Sequence, residues 1–488
     1  MNAVVANGSE VDKFFIISDA PARLGEYLIA QTGDGQVLGM VEKTTITSTI
    51  IENVKDYVTA KEAVRLASKN PRDRNYTSFV RVLGLVESLK RGKAEMPSLP
   101  AEPGTDVLEA PEELLSEVFG HKEGGIYVGR LLRKSSVRVS VSVNAIASRH
   151  LAILGTTGSG KSNLLALLAR EIGKLGGTMI IFDYHGEYSS LSGVNRVTAK
   201  INPRLLDPDE LADVLDIREN ASKQRSVLAR ALTEEVKRAD DFWASLRNKL
   251  RENNGDHRET AERVIEIIER ALRTMGKVMD TEIGNPINMI KPNRVNVIDM
   301  SELTEAQSKL IVAYFGREIL EQRKAYRRGE KHNVTFDTPV ILALEEAHAF
   351  LPEGEYSEAH EVISKIAREG RKFGVGLIVA SQRPSRLSQD VLSQMGSLAV
   401  FRISQPRDQR YVVEASELIS EEIASGLPSL NPGEAILLGQ WVKLPTVVKV
   451  DLVEEKLTGT DYDAVREWYE KKKSSSVASE RSDELIVT

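Results

Sequence analysis

An α/β fold with a mainly parallel sheet, interrupted by a helical insertion and preceded by a small β-barrel, is predicted by three observations in this 488-residue chain. Short apolar runs bounded by turns dominate the first part. After Arg149 strand-like runs alternate with helical ones, which is the pattern of a sheet covered by helices. Inside that alternation one stretch, about 207–279, is charged and helical throughout.

The elements follow in chain order. FFIIS, YLIAQ and VLGMVEKTTI are separated by turns, and TGDG at 32–35 is a hairpin signal. SFVRVLGLVE and GIYVGRLL extend the series. VRVSVSV at 137–143 alternates strictly, as a half-buried strand does. MPSLPAEPGTD is a Pro-rich connector. A barrel over residues 1–125 is the reading, its last strands leading into a second domain over 126–455. There HLAIL, TMIIFD, RVNVIDM, PVILALE, VGLIVAS and LAVFRIS are the strands. The insertion, with LARALTEEVKRADDFWASLRNKL and ETAERVIEIIERALRTM, reads as a small bundle with a solvated charged face. Residues 456–488 read as a C-terminal helix and a polar, serine-rich, disordered tail.

Composition narrows the function. A net charge of −6 speaks against a free-standing basic nucleic-acid module, so a polyanion contact has to be a local patch or a ring-shaped channel. Aromatic residues at 5% do not advertise base stacking. The chain has no cysteine, which excludes disulfides and thiolate metal sites and fits a reducing interior. No run approaches the ~18 apolar residues of a membrane span, and MNAVVANGSEVDKFF lacks a signal-peptide pattern. A soluble, cytoplasmic protein without membrane contact is expected.

GTTGSGKS at 155–162 matches the phosphate-loop pattern, and it stands between the strand HLAIL and the helical run NLLALLAREIGKL, the context that pattern requires. Glycines let backbone N–H groups curl around a phosphate, and the helix N-terminus adds its positive end. Gly158, Ser159, Gly160, Lys161, Ser162 and Asn163 are the expected nucleotide contacts, with Lys161 reaching the β- and γ-phosphates of ATP and the Ser162 hydroxyl joining Mg²⁺. The fold class is therefore a RecA-like P-loop ATPase core with a helical insertion, behind a small N-terminal β-barrel. Guanine reading is not supported: Asn248, Lys249, Leu250 and Arg251 lack the required aspartate. LSGVN at 191–195 resembles a transporter signature, yet it is clipped and far from the paired acids described next.

PVILALEEAHAFLP places two carboxylates, Glu345 and Glu346, at the end of an apolar run. Desolvating an ionised carboxylate is costly, so the pair implies partners. In P-loop enzymes a strand beside the loop ends in acids, one on the Mg²⁺ shell and the next polarising the attacking water. Glu345 fits the metal side and Glu346 the base; the plain alternative is a helix N-terminus that favours acids.

Taken together, GTTGSGKS, FDYHGEY, LEEAHAFLP, IAREGRKFG and IVASQRPS, behind a barrel and around a helical insertion, make a chain that resembles the archaeal HerA DNA translocases of the HerA–FtsK superfamily. The resemblance runs over nearly the whole chain except the tail. It implies an HAS-type barrel and a homo-hexameric, ATP-driven ring threading double-stranded DNA. It also implies helicase activity of either polarity and partnership with a NurA-type nuclease in resecting double-strand breaks. A motor for protein or conjugative DNA export is the competing reading, and such motors ordinarily bring membrane segments.

In FDYHGEY the spacing of Asp183, His185 and Glu187 admits a metal site, but phosphate-side polar residues are preferred because this strand is expected to neighbour the P-loop strand. Asp183 matches the family's motif acid, and Glu187 is a reserve base. Arg368 and Arg371 share a helix face, as surface cations or as the source of an arginine finger for a neighbouring subunit. The family pattern points to Arg371. Gln382 ends VGLIVASQ as a polar sensor or a buried amide. Arg149 precedes the P-loop strand, so the nucleotide contact that the resemblance implies would cross a subunit boundary. Lys449 and Val450, in the late TVVKVD strand, match the family's C-terminal nucleotide-contacting segment. Arg383, Arg386 and Lys372 are DNA-backbone candidates by proximity to these segments.

Overall fold

In a computed structural model, the structure describes residues 1–51, 54–67, 73–120, 124–252, 257–330, 334–455, 465 and 468–469. The C-terminal helix and tail expected at 456–488 lie almost wholly outside the described residues.

Six strands close the N-terminal barrel: β1 (Ala3–Val5), β2 (Lys13–Ser18), β3 (Tyr27–Thr32), β4 (Gly35–Ser48), β5 (Arg74–Leu85) and β6 (Asp106–Glu109), in the order β1-β2-β5-β4-β3-β6. Alternation explains the closure. In β2 Phe14 and Ile16 point inward, where they meet Leu28, Val37, Val41, Val80 and Val107. The strands β1 and β6 are too short for a periodic signal, and the sequence did not announce them.

The remaining strands form one sheet. They are β7 (Gly125–Leu131), β8 (Lys134–Ser142), β9 (Leu151–Leu154), β10 (Thr178–Asp183), β11 (Asn195–Val197), β12 (Val295–Asp299), β13 (Val340–Leu344), β14 (Val375–Ser381), β15 (Ser397–Val400), β16 (Glu434–Gly439) and β17 (Thr446–Val450). Their order is β11-β12-β10-β13-β14-β9-β15-β16-β17-β7-β8. Pairing is parallel from β11 to β15 and antiparallel beyond. Strands buried on both faces explain the unbroken apolar runs in β13 and β14. GIYVGRLL and VRVSVSV are thus the antiparallel edge of the second sheet, not barrel strands.

Two expectations about strand neighbours are corrected. The strand that ends at Asp183, β10, does not lie beside the P-loop strand β9; β14 and β13 stand between them. Nor does β13, with its two glutamates, adjoin β9. The reason is β14: its seven residues are all buried, and its backbone pairs with β13 on one side and β9 on the other.

The insertion between β11 and β12 contains the helices Pro208–Val214, Ser222–Ala231, Glu234–Arg238, Phe242–Glu252 and Arg258–Met275. Asp207 starts it with a reciprocal cap involving Glu210. Ala261, Val264, Ile265, Ile268 and Ala271 form the buried stripe of its longest helix. No helix among the described residues is long and apolar enough to cross a membrane.

The barrel is welded to the sheet. Tyr27, Ile29, Leu38 and Met40 of its wall belong to the main core. Tyr27 Oη donates to Pro445 O at 3.3 Å, and Arg133 Nε donates to Leu24 O at 3.0 Å.

His150 joins three elements at the entry to β9. Its Nδ1 accepts from Leu377 N at 3.0 Å, which leaves Nε2–H to donate to Ala367 O at 3.0 Å. The ring therefore clamps the helix Glu358–Phe373 to β9 and β14. Burial pushes its pKa from 6.5 down to about 4. The unfolded chain takes this proton at the higher value, so the contribution to stability is complete above about pH 6.5 and is lost as pH falls towards 4. Its size is on the order of 3 kcal/mol. Replacing the ring by a group that does not titrate, His150→Gln, should remove this dependence. The difference in melting temperature between parent and variant should narrow from about pH 7 to about pH 4.5; a constant difference would show that the imidazole is not held neutral.

Candidate active site

The P-loop follows β9 and is shaped by backbone that other residues resist. Gly155, Gly158 and Gly160 have φ of 155°, 71° and 115°. A Cβ on Gly155 would meet Phe401 Cβ at 2.6 Å, and one on Gly160 would meet Gly433 Cα at 3.1 Å. Inside the loop Lys161 Nζ and Ser159 Oγ both donate to Thr156 O, at 3.0 and 2.6 Å. Lys161 and Ser162 open the helix Lys161–Lys174, so N–H groups and the positive helix end face the loop.

Lys449 and Val450 reach this loop through one residue. Gly433 N donates to Ser159 O at 2.8 Å, while Val450 N donates to Gly433 O at 2.9 Å. Lys449 Nζ lies 2.6 Å from Pro432 O. Asn163 anchors the chain just beyond: its Nδ2 donates to Asp451 O, and its Oδ1 accepts from Val453 N, each at 2.9 Å. The structure therefore brings the late strand to the P-loop through Gly433 and gives Asn163 a backbone-tying position.

The adjacent glutamates diverge. Glu345 is 4% exposed, with Oε2 accepting from His185 N at 3.1 Å. Beside it Asp183 is wholly buried, its oxygens on the N–H groups of Glu187 and Tyr188 at 3.0 and 2.8 Å. Burial pushes the Asp183 carboxyl up; the two N–H groups and a hydrogen bond from the Glu345 side only partly offset that and the Asp299 charge. Asp183 thus shapes the 184–188 turn from within. Glu187 is exposed, and His185 faces Glu346 instead, so the three motif side chains do not share one point.

Glu346 leaves the strand end by a left-handed step, φ 47° and ψ 45°. This conformation costs a non-glycine residue about 1–2 kcal/mol, and here it turns the side chain away from Glu345 into a cleft. Its Oε2 lies 3.1 Å from His348 Nδ1, and its Oε1 lies 3.7 Å from His185 Nε2. Burial raises the carboxyl pKa, but the His348 contact and the charges of His348, Lys161 and His185 outweigh it and hold it below the ordinary glutamate value.

Gln382 stands between these groups and the P-loop, because β14 separates the strands. Its Oε1 accepts from the Thr157 hydroxyl. The cleft in front of Glu346 is about 730 Å³ and is lined by Tyr184, His348, Gln382, Arg383, Arg386 and Arg407 among others. A larger cleft of about 840 Å³ lies elsewhere, between the insertion and the helices Glu305–Arg327 and Glu358–Phe373. It contains none of the P-loop residues.

Three expected site residues stand apart. Arg149 precedes β9, at the sheet edge opposite the P-loop, and its carbonyl accepts from Gly396 N at 2.7 Å. Arg371 and Lys372 are exposed in the last turn of the helix that feeds the same edge of β14. Sequence reasoning missed His348 and the Gly433 contact. The histidine could have been flagged by its place two residues after Glu346; Gly433 carries no local signal, since only the sheet order brings it near.

Residues 126–319 match the family described as the central domain of helicase HerA. The DNA double-strand break repair helicase HerA of Saccharolobus solfataricus is 36% identical, over 96% of this chain and 95% of its own. That of Sulfolobus acidocaldarius is 34% identical, over 98% and 99%. Among solved structures, VirB4 of Thermoanaerobacter pseudethanolicus covers 69% of this chain and 99% of its own with a TM-score of 0.51 and 17% identity, a likeness of fold alone.

The loop geometry separates two glycines. At Gly158 a Cβ has open space, so Gly158→Ala meets only the left-handed cost of about 1–2 kcal/mol. Gly160→Ala adds the approach to Gly433 and should lower the melting temperature further. Equal losses in the two variants would mean that the Gly433 approach is not tight.

Proposed function

The chain belongs to the HerA family of DNA double-strand break repair helicases, and from that premise we propose that it is an ATP-driven translocase of double-stranded DNA, working as a homo-hexameric ring of either polarity beside a NurA-type nuclease. The observation that carries this reading is Glu346, turned into a cleft shared with Gln382, Arg383 and Arg386.

In this reading the P-loop N–H groups and Lys161 bind the phosphates of ATP. Glu346, held ionised, takes the proton of the attacking water. Ser162 and Glu345 would hold Mg²⁺; both offer the hard oxygen donors that ion prefers, and the buried Tyr188 stands against both side chains. Held there, Mg²⁺ would neutralise charge on the phosphates. Gln382, hydrogen-bonded to the P-loop, is the sensor.

A ring is supported by strand polarity. Arg371 and Arg149 stand at the edge away from their own P-loop, so their action on a phosphate needs a second copy. The nuclease reading is supported by the barrel. Its closed sheet leaves few edges for strand addition, but Val4, Phe15 and Ile17 stand outward at 38%, 36% and 49% exposure. Val4 pairs with Ile17, and Phe15 with Phe79, in one continuous stripe. Because the barrel wall is part of the main core, removing the barrel whole would uncover apolar surface of the motor as well.

ATP hydrolysis should be stimulated by linear duplex DNA. Glu346→Gln should keep ATP binding and lose about 10²–10⁴-fold in turnover, the usual worth of a positioned base. Turnover near the parent rate would move the base to Glu187 or another group.

Arg371 is tested by mixing. Lys161→Ala subunits, in excess, combine with Arg371→Ala subunits. Only mixed rings contain an interface with both an intact P-loop and an intact arginine, so some hydrolysis should return above either variant alone. Mixed rings without recovery would place Arg371 in its own subunit's chemistry.

A further inference from the structure

His348 lies outside the roles assigned above, yet it is the side chain that connects Glu346 to the strand between the glutamate and the P-loop. Its Nδ1 is 3.1 Å from Glu346 Oε2 and 3.3 Å from Ser381 Oγ. Ser381 is fully buried at the end of β14. Its carbonyl accepts from Gly155 N at 3.3 Å, and its hydroxyl oxygen accepts from Arg383 N at 3.1 Å. The next residue, Gln382, is bonded to Thr157. One ring nitrogen therefore faces the proposed base on one side and, on the other, the point where the P-loop, the sensor and the Arg383–Arg386 segment meet.

A single Nδ1–H is divided between these partners, and a straight bond to one weakens the other. A carboxylate only accepts, so a hydrogen bond to Glu346 Oε2, a buried oxygen with no other partner among the described residues, requires Nδ1–H. The Ser381 hydroxyl oxygen also accepts, so the same N–H turned to Ser381 leaves Glu346 without it. The Ser381 hydroxyl is in turn fixed by the Arg383 backbone, and Arg383 and Arg386 open onto the cleft of about 730 Å³. Anionic backbone drawn to those arginines pulls on the residue that competes for the ring. With the ring on Ser381, Glu346 keeps only its approach to His185 Nε2 at 3.7 Å and the field of Lys161.

We propose that His348 is a positioning residue that restrains Glu346 until duplex DNA, bound at the Arg383–Arg386 segment, shifts the imidazole to Ser381. This rests on the DNA-translocase reading above. It makes the ratio of DNA-stimulated to DNA-free turnover a property of the His348–Ser381 pair.

The test measures kcat and KM for ATP with and without linear duplex DNA in the full chain and in His348→Ala, His348→Asn and Ser381→Ala. Coupling between two sites is ordinarily worth roughly 5–150-fold. His348→Ala and Ser381→Ala should bring the stimulation ratio down at least about 5-fold towards unity, with KM for ATP within about twofold. His348→Asn, which places an amide near the Nδ1 position, should restore part of the ratio. A ratio within about twofold of the parent in both alanine variants overturns the proposal, whatever the absolute rates. If His348→Ala fails to fold, the Ser381→Ala ratio decides alone. A parent whose ATPase ignores duplex DNA overturns the proposed function together with this inference, and that control is read before any variant.

Discussion

The parallel pairing of β14 between β9 and β13 is the constraint on which the site depends. Each strand of a parallel sheet must satisfy its N–H and C=O groups on both sides, so a strand in this position cannot be bypassed or thinned. It holds the P-loop and Glu346 one strand apart. It also fixes what fills the interval: Ser381 and Gln382, at the strand's C-terminal end. The space that would otherwise separate a phosphate from a base is thus occupied by two polar residues bonded to both flanks.

The same polarity divides the molecule into two edges. The C-terminal ends of the strands gather the P-loop, Glu345, Glu346 and Gln382. The N-terminal ends gather Arg149, Arg371 and Lys372, with His150 fastening their helix to the sheet. No rotamer change carries a cation across the length of a strand. In the proposed ring these cationic groups, which one copy does not bring to its own phosphates, would face a neighbouring copy.

Much of this was legible in the sequence because it was local. The P-loop needs glycines at fixed spacing, and β13 and β14 announce themselves as buried runs. The insertion shows its helical period, with Val264, Ile265 and Ile268 on one stripe. What was not legible was lateral order. FDYHGEY and LEEAHAF each look fit for the place beside β9, and nothing inside either run says that VGLIVAS takes it. The short strands β1 and β6 were hidden for a different reason: three or four residues carry no measurable alternation. The pair Glu345 and Glu346 was readable as a pair, but their divergence rests on one left-handed residue, which sequence does not reveal for a glutamate. Gly433 belongs with these, since its closeness to Ser159 arises only once β16 and β17 have folded back along β15.

That last closeness gives the barrel a route to the nucleotide site. A Cβ on Gly25 would fall 2.9 Å from Val447 Cβ, so the barrel presses directly on β17. Val447 O accepts from Leu132 N at 2.9 Å, and two residues on Lys449 touches the Pro432 carbonyl beside Gly433. Gly433 then bonds Ser159 of the P-loop. The buried Glu42 adds a second weld, paired with Arg81 inside the barrel at 2.5 Å and accepting from Ser420 of the motor at 3.4 Å. Burial raises its carboxyl pKa despite the arginine, the mark of a charge held in a tight interface. Packed interfaces of this kind shift as wholes and do not bend gradually. The barrel's packing therefore reaches β17, and β17 is one glycine away from the P-loop.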